Sequence, residues 1–94
     1  MKVDEALEEI DDAIRERIGT EDESFRESVE SALEEVESLV GGDGVDDLAR
    51  SVGSHIREHE SRPAPKQVRE EATTIVNEKG QEVPEESYLA QSKM

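Results

Sequence analysis

The chain has 94 residues, of which 26 are acidic and 11 basic, so its formal net charge at pH 7 is −15. It contains no cysteine, which excludes disulfides, thiolate catalysis and cysteine-based zinc sites. Hydrophobic residues make up only 32% of the chain, and no apolar run approaches the ~20 residues needed to span a bilayer. We therefore expect one small domain with a thin core and no membrane span. Because the apolar residues recur at helical spacing, they argue against the disorder that such a composition otherwise suggests.

The first two predicted elements are amphipathic helices. The first apolar stripe steps by three or four residues and predicts a helix that ends at Gly19. Thr20 and Glu23 have the spacing of a capping box and predict the start of a second helix. That helix runs to the Gly-Gly-Asp-Gly sequence at 41–44, which predicts a flexible loop. The short connection between the two helices favours an antiparallel hairpin. The apolar stripe of the second helix contains Phe25, Val29, Ala32, Leu33, Val36, Leu39 and Val40.

Two further helices and a tail complete the predicted fold. A third apolar stripe is followed by a break at 61–65, where Pro65 is suited to the first turn of a fourth helix. We predict an all-α fold, a small four-helix bundle made of a helical hairpin plus two further helices, with an extended C-terminal tail. The predicted helical domain is 1–80 and the mostly extended tail is 81–94. The predicted helices are about 3–18, 21–40, 45–60 and 65–79.

One short motif suggests metal chemistry. The sequence from His55 to His59 matches the H-x-x-E-H pattern and so resembles that of inverted zincin peptidases. Two histidines four residues apart share a helix face and can hold zinc, and Glu58 is then suited to act as a base. No third ligand and no downstream glutamate motif stand out, so we interpret both histidines as residues at the edge of the apolar stripe that contains Val52 and Ile56. We predict no metal site, no cofactor, no catalytic residues and no enzymatic activity.

The bases are concentrated in the second half of the chain. Residues 1–50 carry eighteen acids and five bases, whereas residues 57–79 carry five of each. Arg62, Lys66 and Arg69 therefore mark a candidate partner surface, although salt bridges on a helix surface explain the pattern equally well. An alternative function follows from the same residues. The third helix, the break and the fourth helix have the order of a helix-turn-helix, whose recognition helix would bind DNA as part of a small transcriptional regulator.

Two resemblances suggest a setting for the protein. The acidic, lysine-poor composition resembles that of proteins from haloarchaea, which work in molar salt. The acidic start at Glu21, the long helix and its stop at glycines 41 and 42 resemble head–tail adaptor (connector) proteins of tailed viruses. This resemblance implies a structural assembly protein that forms a homo-oligomer or joins a larger complex, in the cytoplasm or in the virion. It also implies that the tail reaches a neighbouring subunit as an arm, with Val83, Tyr88 and Leu89 as its apolar contacts.

Overall fold

Four helices account for nearly all of residues 2–82, which are the residues that the computed structural model describes. They are α1 (Lys2–Arg17), α2 (Glu23–Val40), α3 (Gly42–Glu58) and α4 (Pro65–Glu82). The predicted all-α fold with four helices is confirmed. The fourth helix begins at the proline that suited its first turn, and it extends two residues into the segment predicted to be extended.

The helices run alternately up and down and pack as two hairpins. At the α1–α2 seam Arg26 pairs with Asp11, which joins the two helices of the first hairpin. The most extensive interfaces nevertheless lie between parallel helices, α1 with α3 and α2 with α4. The interface between α2 and α3 crosses the centre of the bundle, while α1 and α4 flank it and do not touch within residues 2–82. Every helix therefore contributes one face to a single core.

The core consists of small and branched aliphatic side chains with one aromatic ring. Burying these side chains is the main favourable contribution to folding, at about 25 cal/mol per Å² of apolar surface. Each member comes from one of the four predicted stripes, so the periodicity of the sequence predicted the buried faces. Ile18, Val40, Ile75 and Val76 pack against this core while remaining half-buried. The buried residues are Val3, Ala6, Leu7, Ile10, Ala13, Ile14, Phe25, Val29, Ala32, Leu33, Val36, Val45, Leu48, Ala49, Val52, Ile56, Val68 and Ala72.

The predicted glycine loop at 41–44 is wrong, because three of its residues form the first turn of α3. Only Gly41 lies between α2 and α3, and its φ of 87° lies in the left-handed region that favours glycine. Gly44 is helical and faces the end of α2 so closely that a Cβ there would lie 2.5 Å from Cγ1 of Val36. Glycine at this position therefore permits close approach of two helices rather than a flexible connection.

The predicted cap of α2 is also wrong, since Asp22 and not Thr20 is the N-cap residue. The carboxylate of Asp22 accepts hydrogen bonds from the backbone N–H of Ser24 at 2.9 Å and of Phe25 at 3.4 Å. Both residue types are good N-caps. Asp22, two residues after Thr20, is the cap because the chain must first leave α1. Gly19, with a φ of 91°, ends α1 by donating its N–H to the carbonyl of Ile14.

Candidate functional site

Arg62, the first of the predicted partner-binding bases, contacts the start of α2. It lies in the connection between α3 and α4, where its Nη1 atom is 3.6 Å from Oδ2 of Asp22. Its guanidinium carbon lies 5.8 Å from the centroid of the Phe25 ring, a cation–π distance. The side chain is only 26% exposed, and its Nη1 atom is buried without a hydrogen bond in the described part of the chain. Arg62 therefore links the connection between α3 and α4 to the connection between α1 and α2.

The other two predicted bases lie in the first two turns of α4 and differ in their surroundings. Arg69 donates a hydrogen bond of 2.6 Å to the carboxylate of Glu35 across the α2–α4 seam. Lys66 is exposed, with no ion pair to any residue between 2 and 82. Gln67 does not point to a ligand, because its side-chain carbonyl accepts the backbone N–H of Ala64 and caps the helix. Among Arg62, Lys66, Gln67 and Arg69, only Lys66 forms no side-chain hydrogen bond or ion pair with another described residue.

Most of the other bases are paired within the chain as well. Eight different Lys and Arg side chains form ion pairs with carboxylates, and most of these pairs join two helices or their connections. Among the bases of residues 2–82, this leaves Arg57 and Lys66 without a carboxylate partner. Surface pairs of this kind each contribute at most about 1 kcal/mol, so their main effect here is on the surface charge. The chain presents mostly carboxylates to solvent.

One unbroken acidic stripe runs along α2. It is made of five glutamates spaced by three or four residues, so that they share one face of the helix. None of the five forms an ion pair with another described residue, and together they give α2 a negative outer face. A phosphate backbone is repelled by such a face. The glutamates are Glu23, Glu27, Glu30, Glu34 and Glu37.

The carboxyl groups in the two ion pairs of the α1–α2 hairpin have pKa values shifted in opposite directions, for different reasons. Partial burial raises the pKa of Asp11, although the neighbouring Arg26 acts to lower it. The hydrogen bond from Arg15, whose Nη2 lies 2.8 Å from Oε1 of Glu21, lowers the pKa of Glu21. The same hydrogen bond raises the pKa of Arg15. The first pair joins α1 to α2, and the second joins α1 to the connection that precedes α2.

The second hairpin differs from a helix-turn-helix in geometry. Ser51 donates a hydrogen bond of 2.8 Å to Glu71, and Lys79 lies 3.1 Å from Asp47. These contacts follow α3 and α4 in opposite directions, so the two helices lie side by side and antiparallel. The helices of a helix-turn-helix instead cross at about 90–120° after a turn of three or four residues. The connection here spans the six residues 59–64.

His55 and His59 are neighbours at the end of α3. Their ring centroids lie 4.5 Å apart with an angle of 42° between the ring planes. His59 is the C-cap residue of the helix, and its backbone N–H donates to the carbonyl of His55. No group of three or more His, Cys, Asp or Glu side chains within residues 2–82 is placed to hold a metal ion. The same part of the chain has no helix that is long and apolar enough to cross a bilayer.

An apolar patch at the α2–α4 seam is the surface feature that the sequence did not predict. Leu39 belongs to the predicted core stripe, yet it is 60% exposed. Among the described residues it is the one large hydrophobic residue that is exposed. Val40, Ile75 and Val76, all half-buried, lie at the same end of α2 and α4. Leu39 is exposed because α2 ends one residue later and no other helix crosses its outer edge there. A helical stripe cannot show which of its turns lacks a neighbour, so no signal in the sequence identified this patch.

The remaining predicted contacts, Val83, Tyr88 and Leu89, lie outside the described residues. The structure therefore shows where their segment begins, directly after Glu82 at the end of α4. Comparison with protein-family models, with curated proteins and with solved structures gave no match.

Proposed function

We propose that the protein is a non-enzymatic structural component that acts by binding other protein subunits through apolar surface. The observation that carries this proposal is the exposed patch around Leu39. A single exposed leucine is ordinary on a protein surface. Here three half-buried aliphatic side chains lie at the same end of α2 and α4, on a small domain whose other described large hydrophobic residues are buried or half-buried. Exposed apolar surface of this kind gains stability when a partner covers it.

The surface charge supports a protein partner over a nucleic acid. A DNA-binding face is normally basic, with arginines and lysines free to reach phosphates. In this chain Arg62 and Arg69 pair with carboxylates of α2 or of its cap, which leaves Lys66 as the base of the predicted surface without an ion pair to a described residue. The unpaired glutamates of α2 add repulsion along the neighbouring helix. A DNA-binding regulator of helix-turn-helix type is therefore the alternative function.

The kind of assembly that we propose is an adaptor, in the manner of the connector proteins between the head and the tail of a virus that infects haloarchaea. The support is the resemblance in sequence together with two physical features. A domain of this size has a marginal core and gains stability from neighbours. A strongly acidic surface repels DNA, so a ring of such subunits would let a genome pass without binding it.

The test compares the two functions in one buffer. We expect the intact chain to form an oligomer by light scattering in ~2 M KCl, where charge repulsion is screened to within a few ångströms. Deleting residues 83–94 should reduce it to a monomer, because the deletion removes the apolar arm. The double variant Arg62→Ala/Arg69→Ala should assemble like the wild type. A DNA mobility shift by the intact chain that is lost in this double variant, with no assembly, would replace our proposal with the regulator.

A further inference from the structure

The position of Leu39 relative to α4 follows from the ion pair between Glu35 and Arg69. These two residues face each other across the parallel α2–α4 seam. Leu39 is four residues after Glu35 and therefore lies one turn further along the same face of α2. Val76 is seven residues after Arg69 and lies two turns further along the corresponding face of α4. Leu39 and Val76 thus lie on the same stretch of the seam beyond this ion pair, with Val76 about one turn further along than Leu39.

The other two members of the patch lie beneath this stretch. A Cβ on Gly44 would contact Val40, and it would lie 3.5 Å from Cγ2 of Ile75, so both side chains surround the first turn of α3. The patch of Leu39, Val40, Ile75 and Val76 is therefore continuous with the core on one side. Its outer edge is open to solvent at Leu39.

The chain leaves the described structure close to this patch. Glu82, the last residue of α4, is six residues after Val76, which corresponds to about 9 Å along a helix. The following segment, 83–94, has twelve residues and spans up to ~40 Å when extended. It contains Tyr88 and Leu89 as adjacent large apolar side chains. The segment is therefore long enough to cross from its own bundle to the patch of another.

We propose that the apolar patch of Leu39, Val40, Ile75 and Val76 is the binding site for residues 83–94 of a second copy of this chain. This inference rests on the proposed function, because it identifies the surface through which the subunits assemble. The occupant is matched in two respects. The segment begins at the end of the bundle that carries the patch, and it supplies apolar side chains that can cover the exposed edge of the patch at Leu39. Reciprocal exchange of two such segments would cover both patches of a dimer.

The test uses full-length chains with complementary defects. Leu39→Asp places a charge in the patch, and Tyr88→Asp/Leu89→Asp removes the apolar side chains of the segment. Ser38→Asp is the matched control for the patch, because it adds the same charge to α2 at an exposed neighbouring position. Each chain is measured alone in ~2 M KCl by light scattering, with circular dichroism to verify its helix content.

We expect Leu39→Asp to weaken self-association roughly tenfold or more, since burying a leucine contributes at least that factor. Ser38→Asp should associate like the wild type, and Tyr88→Asp/Leu89→Asp should be monomeric. An equimolar mixture of the two defective chains should form a heterodimer, because one supplies an intact patch and the other an intact segment. The heterodimer is detected by native mass spectrometry after tagging one chain.

Other results overturn the inference in distinguishable ways. If the wild type assembles and Leu39→Asp assembles equally well, the patch is not the site, although the proposed function stands. If both defective chains are monomeric and their mixture yields no heterodimer, the segment of one copy does not bind the patch of another, and the inference is wrong. A wild type that remains monomeric at every salt concentration removes the proposed function together with the inference.

Discussion

Two helical glycines of α3 give a quantitative test of the packing. A Cβ on Gly44 would lie 2.5 Å from Cγ1 of Val36 and still closer to Val40. Val36 is fully buried, and valine in a helix has one strongly preferred rotamer, so neither side chain can yield easily. Such overpacking costs about 1–3 kcal/mol, against a gain of about 1 kcal/mol in helix propensity. Gly53 differs, since the nearest described side-chain atom to its Cβ would be Nη1 of Arg57 at 3.4 Å.

We therefore expect Gly44→Ala to destabilise the chain by about 1 kcal/mol and Gly53→Ala to stabilise it by about 1 kcal/mol. For a domain of this size, each kcal/mol shifts the melting temperature by about 4–8 °C. The two variants should consequently melt about 8–16 °C apart when both are followed by circular dichroism in the same high-salt buffer. Equal melting temperatures, or a more stable Gly44→Ala, would contradict the close approach of α2 and α3.

Four further predictions concern charge, capping and the histidines. Helix content at 222 nm should be higher in ~2 M KCl than in ~50 mM KCl, because the screening length exceeds 10 Å in the dilute buffer, and equal content would remove the halophilic interpretation. Asp22→Ala should lower the free energy of unfolding by about 1 kcal/mol, whereas Asp22→Asn keeps most of the cap and should lose less in the same melts. Arg15→Ala should raise the pKa of Glu21 towards its ordinary range in an NMR titration. The Arg15–Glu21 hydrogen bond lowers the folded-state pKa of Glu21, so it stabilises the fold above the ordinary carboxyl pKa and this stabilisation is lost as the pH falls. The destabilisation by Arg15→Ala should therefore disappear in strong acid. His55→Ala/His59→Ala should leave stability and assembly nearly unchanged, and stoichiometric zinc in the wild type that this variant loses would show a metal site.

Periodicity was sufficient to predict the helices and the core because both depend on local spacing. Residues three and four apart share a helix face whatever the tertiary structure, so the apolar stripes showed which faces are buried. The glycine sequence at 41–44 was misinterpreted for a related reason. Glycine has low helix propensity and indicates a break when taken alone. Its role at Gly44 depends on the close approach of α2, which only the tertiary structure contains.

The surface could not be predicted from the sequence in the same way. Arg69 is 34 residues from Glu35, and Arg62 is 40 residues from Asp22, so their ion pairs depend on how the hairpins pack. The same bases, taken without their partners, suggested a partner surface or, in the alternative, the start of a DNA recognition helix. Leu39 was assigned to the core because its spacing is that of the buried residues, although no helix covers it. Spacing along a helix therefore predicts neither the ion-pair partners of surface bases nor whether an apolar residue at a helix end is covered by another helix.

The central claim is that this acidic chain assembles through apolar contacts. Sedimentation equilibrium of the intact chain over ~0.2–3 M KCl tests it most directly, because screening and salt exclusion both favour apolar association, whereas contacts between opposite charges weaken as salt rises. We predict a mass that is a multiple of the 10.5 kDa chain and that is maintained or increases with salt. A chain that stays monomeric throughout, or an oligomer that dissociates as the salt concentration rises, would contradict the account.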